Sequence, residues 1–213
     1  MKSSPSPFLS PRKRPQQARS TQLVADILEA VIRVLIDEGA HRFTMARVAE
    51  RAGVSVGSVY QYFPNKQAIL FRLQTDEWKV THRLLDGILS DATLPPLERL
   101  RRSVRAFFRS EYEEVKLRTA LNDAAPLYRE APEAREHRGT GTRQIQRLLR
   151  EACPGIPTGD LKFAAELVAA STAAIGKKIS EHARSQAEVD AFADAIGDML
   201  SVYLKSYFDR YRK

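Results

Sequence analysis

Between Ser55 and Gln67 the chain carries no acidic residue. A solvated helix face normally mixes charges of both signs, whereas a face built for phosphates and base edges excludes carboxylates. The residue types fit the second kind of face. Gln61 can pair bidentately with an adenine edge, Ser58 can meet either a donor or an acceptor, and Val56 can touch a thymine methyl. Gly57 lets the backbone approach a groove. Thr44, Arg47, Ser55, Tyr60, Tyr62 and Lys66 carry donors that can reach phosphate oxygens. Val56, Gly57, Ser58, Tyr60, Gln61 and Tyr62 are expected to face outward. The partner described by this chemistry is double-stranded DNA. The competing reading is an ordinary helical hairpin, common in all-α proteins.

Covalent chemistry finds little support in the rest of the chain. His41, His82, His137 and His182 lie far apart, and none belongs to a metal-ligand pair of the HExxH kind. Gly139-Thr140-Gly141 has no following Gly-Lys-Ser/Thr and no preceding strand, so it is not a phosphate loop. Cys153 is the single cysteine, which excludes an intrachain disulfide, and it has no local partner that would mark a nucleophile. No catalytic residue, metal or cofactor is predicted. No apolar run approaches the roughly 18 residues that span a bilayer, and the N-terminal MKSSPSPFLSPRKRP lacks the continuous apolar core of a signal peptide. No membrane association is expected, and the cytoplasm is the expected compartment.

Charge supports the DNA reading. The net charge is +8, and residues 1–66 hold 10 Lys/Arg against 5 Asp/Glu, so the surplus is concentrated in the first third. A nucleic-acid partner requires such a bias.

The elements that must position these residues are helical throughout. Thr44 is an N-cap candidate, followed by Met45, Val48, Ala49 and Ala52 at helical spacing. Gly53 can take the left-handed conformation that ends a helix. Ser55 can cap a second short helix over Val56–Phe63, with Val59 and Phe63 inward. Pro64 stops that helix and Asn65 can cap the next. Two short helices joined by a glycine turn form a helix-turn-helix, whose second helix enters the major groove. Ahead of it, Thr21–Glu38 reads as a helix with Val24, Ile27, Leu28, Val31, Val34 and Leu35 on one face, ended by Gly39.

The run Val48-Ala49-Glu50-Arg51-Ala52-Gly53-Val54-Ser55-Val56-Gly57-Ser58-Val59-Tyr60-Gln61-Tyr62-Phe63-Pro64-Asn65-Lys66, with Thr44 before it and Leu70 after it, resembles the DNA-binding domain of tetracycline-repressor-like (TetR family) regulators. The most specific marks are Ala52-Gly53-Val54-Ser55, Tyr60 and Tyr62-Phe63, and Lys66 three residues past the phenylalanine. The match covers about Thr21 to Leu70. Beyond that, the chain is similar to the family in length and helical character only. The resemblance implies a homodimeric transcriptional regulator, most often a repressor released from a palindromic operator by a small-molecule ligand. The ligand-release part comes from the resemblance alone. A DNA-binding protein of the same fold without a small-molecule effector stays open, as does a helical enzyme or adaptor with an incidental helix-turn-helix.

The expected architecture is all-α, in three parts. Residues 1–20 form a flexible basic arm around Arg12-Lys13-Arg14, either a solubilising tail or a source of further DNA contacts. Residues 21–66 form the helix-turn-helix domain. Residues 67–213 form a helical ligand-binding and dimerisation domain. A helix over Lys66–Leu89 carries two apolar stripes, one through Leu70, Leu73, Val80, Leu84 and Ile88 and one through Phe71, Trp78, His82 and Leu85. That pattern predicts burial between neighbours. Helix five, opened by Pro95-Pro96, is expected to turn Arg99, Arg101, Arg102, Arg105 and Arg109 outward, as a solvated face or as a patch for an acidic ligand. A short helix follows over Leu117–Ala125, then one from Pro132 to Ala152. Trp78, His82, Phe107, Phe108, Tyr112 and Tyr128 are candidates for an apolar ligand cavity, although aromatics at helical spacing also suit plain core. The last two helices, about Asp160–Ala183 and Glu188–Tyr211, combine small residues on one with an aromatic stripe on the other. They are candidates for a two-fold seam through Ala165, Val168, Ser171, Phe192, Ile196, Met199, Leu200 and Tyr203, with an intrachain hairpin as the alternative.

Overall fold

The computed structural model describes residues 18–127 and 132–211. Nine α-helices and no strand are found among them. These are α1 (Ala18–Glu38), α2 (Met45–Arg51), α3 (Val56–Tyr62), α4 (Lys66–Leu89), α5 (Pro96–Glu113), α6 (Val115–Ala124), α7 (Pro132–Ala152), α8 (Thr158–His182) and α9 (Gln186–Phe208). Single 3₁₀ turns lie at Ala40–Arg42 and Ala125–Leu127. The arm predicted over 1–20 falls outside the described residues up to position 17, and Ala18, Arg19 and Ser20 are the first residues of α1.

The chain forms two compact units. One comprises the residues up to Trp78 together with Lys116–His137, and the other comprises Lys79–Val115 and Arg138 onward. In the first unit α1 buries Val24, Ile27, Ala30, Val31, Val34 and Leu35, the one-sided face its 3.6-residue period dictates. These side chains pack with Met45, Val48 and Ala49 of α2, Val59 of α3, and Ile69, Leu70 and Leu73 of α4. Leu117, Ala120, Leu121 and Ala124 of α6 join the same core, far downstream in the chain.

The second unit is built on α5. It packs against α8 and α9, and its Leu100, Val104 and Phe108 share a core with Leu148 and Leu149 of α7, Ala164, Ala165 and Val168 of α8, and Val189, Ala193, Leu200 and Leu204 of α9. Gly197 permits the close approach of α9 to α5. A Cβ there would lie 3.3 Å from Arg101 Cγ and 3.4 Å from its Cα. Beside that contact Arg101 pairs with Asp198, Arg105 reaches Asp194 and Asp190 at 3.2 Å, and Arg109 binds Asp190 through two nitrogens, both at 2.7 Å. The arginines ascend as the aspartates descend, so the two helices run antiparallel.

Two expectations for these helices are corrected. Arg99 does not face outward. It is 2% exposed, donates at 2.8 Å to the carbonyl of Leu89 in the last turn of α4, and pairs with Glu151. A carbonyl at a helix C-terminus lacks an intrahelical donor and favours a cation, which is what draws this one arginine inside. The other arginines of α5 are no vacant acidic-ligand patch, since α9 supplies carboxylates to Arg101, Arg105 and Arg109. The α4 stripe through Val80 and Leu84 is also not buried between neighbours. Both are exposed, and the buried side of this half runs instead through Thr81 and Leu89, with Leu85 half-buried between them. Val80 and Leu84 each sit one residue, about 100°, away from that line.

Candidate nucleic-acid interface

The α2–α3 unit is set by its end signals. Thr44 is extended (φ −133, ψ 153), and its Oγ1 accepts from the Arg47 N–H at 3.2 Å. At the other end of α2, Gly53 takes φ 67. The Val54 N–H then bonds the Ala49 carbonyl at 3.0 Å and the Gly53 N–H bonds that of Glu50 at 3.1 Å. This is the paired 6→1 and 5→2 closure that satisfies the last carbonyls of a helix and reverses the chain. Ser55 follows at once as N-cap of α3, its Oγ accepting from the Ser58 N–H at 3.0 Å. Asn65 Oδ1 accepts from the Ala68 N–H at 2.8 Å and so starts α4. Val59 and Phe63 are fully buried and lock α3 onto the core.

What α3 leaves outward is Val56, Gly57, Tyr60 and Gln61, at i, i+1, i+4 and i+5, all exposed. Thr44, Arg47, Ser55 and Lys66 are exposed as well. Arg47 pairs with Glu38 and Arg51 with Asp37, both at a partly exposed surface. Such pairs contribute about 0–1 kcal/mol, so a phosphate can compete for either cation. Ser58 is half-buried, and its hydroxyl lies 2.8 Å from that of Ser55, so its hydrogen bonding is partly committed within the protein. Tyr62 is a correction. It was expected outward, but it is 6% exposed and belongs to the core. It sits at i+3 from Val59, and these two make the buried face of a seven-residue helix, continued by the C-cap residue Phe63.

Comparison with known proteins decides the family. Residues 95–207 match a family model described as the tetracyclin repressor-like C-terminal domain, and residues 27–73 match that of bacterial regulatory proteins of the tetR family. The chain belongs to the tetR family. A similar curated protein is the HTH-type transcriptional regulator BetI of Escherichia coli O127:H6, 31% identical over 114 residues, which are 54% of this chain and 55% of that protein. The chain thus spans about half the length of the curated relatives it matches. Among solved structures, a tetR-family regulator from Mesorhizobium loti superposes with TM-score 0.67 at 21% identity, covering 88% of this chain and 98% of that one. SmeT, repressor of the Stenotrophomonas maltophilia multidrug efflux pump SmeDEF, superposes with TM-score 0.65 at 20% identity, covering 84% and 89%. At these identities the structures establish the shared fold.

The remaining candidate residues do not gather as expected. Trp78 packs edge-on to Phe71, ring centroids 6.5 Å apart, against the core of the first unit. Phe107, Phe108 and Tyr112 belong to the core of the second, Phe108 fully buried. His82 lines an open groove between α4 and α7 whose walls are largely arginine and glutamine, not aromatic. Tyr128 lies outside the described residues. Within the second unit, His82 and the three aromatics Phe107, Phe108 and Tyr112 do not line one apolar cavity. The groove's Arg143, Gln144, Arg147 and Arg150 were missed, although cations at 143, 147 and 150 fall at i, i+4 and i+7, a one-sided pattern visible in the sequence.

The expected seam residues also divide. Ala165, Val168 and Leu200 are buried in their own chain's core, so they are not available to a second subunit. Ser171, Ile196 and Tyr203 are half-buried. Phe192 and Met199 are exposed, and Phe163, Leu167 and Val202, which were not named, join them as large exposed apolar side chains of α8 and α9. Helix α9 carries two apolar stripes. Its inward one runs through Val189, Ala193, Leu200 and Leu204.

Proposed function

We propose that this chain is a sequence-specific DNA-binding transcriptional regulator and not an enzyme, working in the cytoplasm as a homodimer on a palindromic operator. A small-molecule ligand releases it. The observation that carries the reading is the exposed, acid-free face of α3, held at fixed pitch by a glycine-closed turn and two serine and threonine caps. Such a helix fits the major groove, with Gln61 reaching base edges and Thr44, Tyr60 and Lys66 holding phosphates. Tyr62 plays no part in this reading beyond packing α3. The names of the relatives, a BetI-type regulator and a repressor of an efflux pump, support regulation of transcription.

The dimer rests on the exposed apolar face of α8 and α9. Five large side chains there, Phe163, Leu167, Phe192, Met199 and Val202, face solvent in the single chain. A two-fold copy of the same face would cover them, and a palindrome requires that symmetry. Helix α4 is unbroken from Lys66 to Leu89 and contributes side chains to both cores, which makes it the element through which a ligand would act. The test is selection of bound sequences from a random DNA pool, followed by affinity measurements at several salt concentrations. A palindrome bound at least 10³-fold more tightly than random DNA is expected. Equal affinity for selected and random sequences would overturn the reading.

A further inference from the structure

We infer that the groove between α4 and α7 binds a small molecule carrying two or more negative charges, held by Arg83, Arg143, Arg147 and Arg150. The groove has a volume of about 1090 Å³. Among the described residues its lining includes those four arginines and a single carboxylate, Asp86, which leaves three positive charges in excess. The arginines are engaged lightly. Arg147 reaches Asp86 at 2.7 Å, Arg143 reaches the Thr140 hydroxyl at 2.8 Å, and Arg83 donates to its own helix at the Lys79 carbonyl at 3.2 Å. Arg150 has no carboxylate partner among the described residues. The contrast with α5 is instructive, because there the same chain supplies Asp190, Asp194 and Asp198 for the three arginines that face α9. The fold neutralises its structural arginines, whereas in the groove only Arg147 has a carboxylate partner among the described residues.

The floor of the groove points to a ligand independently. Gln144 is 7% exposed, and its Nε2 donates to the His82 carbonyl at 3.0 Å and to Asp86 Oδ1 at 3.1 Å. Both partners are acceptors, which fixes the orientation of the amide. The Gln144 Oε1 is then left buried without a hydrogen-bond partner. A buried acceptor beside a cationic rim suits an anion that also carries an O–H or N–H group. Because guanidinium pairs bidentately with carboxylate and with phosphate alike, the ligand is defined by charge and not by which of the two groups bears it.

The inference rests on the ligand-release reading for its regulatory meaning, while binding itself can be tested without it. Citrate and pyrophosphate are titrated calorimetrically into the full chain, with chloride balancing ionic strength. Saturable binding of either probe is expected, at least 10-fold weaker in the Arg143→Gln/Arg147→Gln variant and unchanged in Arg102→Gln, an exposed arginine whose partner Glu98 lies on its own helix. Tighter citrate binding identifies a polycarboxylate ligand, and tighter pyrophosphate binding a phosphate-bearing one. Binding of neither probe above the chloride background, or equal loss in both variants, would overturn the site. Operator affinity is measured with and without the bound probe. Binding that leaves operator affinity unchanged keeps the site and refutes release through it, whereas loss of operator binding in the absence of any probe would refute the DNA reading alone.

Discussion

Helix α3 and the α8–α9 pair both leave apolar side chains in water, and the difference between them fits the two kinds of partner proposed for them. On α3 the exposed Val56 and Tyr60 are interleaved with Gly57 and Gln61. Every polar group there can still bond to water, so the face is stable alone and can exchange water for a hydrophilic groove. On α8 and α9 five exposed side chains are large and apolar, up to Val202 at 67% exposure. Scattered surface leucines and valines are normal, but a set this large across two adjacent helices is usually covered in the working molecule. In the proposed reading one face selects by where its donors stand, the other by how much apolar surface it removes from water.

The comparison breaks most visibly if the apolar face is spoiled. Met199→Asp with Val202→Asp should give a folded monomer, because both side chains are exposed in the single chain. Loss of the second half-site contact should weaken operator binding by about 10²–10⁴-fold. Sedimentation and operator titration measure the two effects. Leu200→Asp should instead unfold the chain, since its carboxylate would be buried without a partner. A dimer of normal affinity in the double variant would remove the proposed seam.

On α3 the effect should be smaller and local. Gln61→Ala should cost roughly 1–3 kcal/mol, concentrated at one base pair per half-site. Competition among operators substituted one position at a time locates the loss. Equal weakening on operator and random DNA would make Gln61 a phosphate contact, not a base reader.

How legible these regions were follows from where their determinants lie. The ends of α2, α3 and α4 are set by residues adjacent to them, Thr44, Gly53, Ser55 and Asn65, so local rules placed those boundaries. The direction of a side chain depends on what packs against it, and there local rules failed. Tyr62 looks as polar-tipped as Tyr60, yet it lies on the buried side of a very short helix. Leu200 and Met199 are adjacent apolar residues, and only the position of α5 decides that the first is core and the second surface. Arg99 belongs to a run of arginines, and only the end of α4 nearby explains why it alone is drawn inside. The candidate aromatics divided for the same reason, Trp78 packing in one core and Phe107, Phe108 and Tyr112 in the other, because spacing along helices cannot tell which aromatics share a core.

Lys66 tests the charge side of the α3 comparison. Lys66→Ala should weaken binding about equally on all sequences and lower the salt slope by about one unit per half-site. A change confined to the operator sequence would contradict a phosphate role.

The smallest effect is expected where charges already have partners within the chain. Asp190 of α9 is held well below the usual carboxylate range, first by its hydrogen bonds from Arg109, then by those from Gln186 and Arg105, against an opposing effect of burial. Its folded pKa is therefore depressed, so it contributes stability above the ordinary aspartate value of about 3.9. That contribution is lost progressively as pH falls below that value toward the folded one. Asp190→Asn should lower the Tm by a few degrees at neutral pH, and the gap to the parent chain should close only on acidification below about pH 4. Asp194→Asn, at a more exposed pair, should change Tm less. Operator affinity should be unaffected by either change. A pH-independent gap for Asp190→Asn would mean that the side chain acts through packing, and the α5–α9 row would then no longer serve as the ionic contrast to the arginines of the groove.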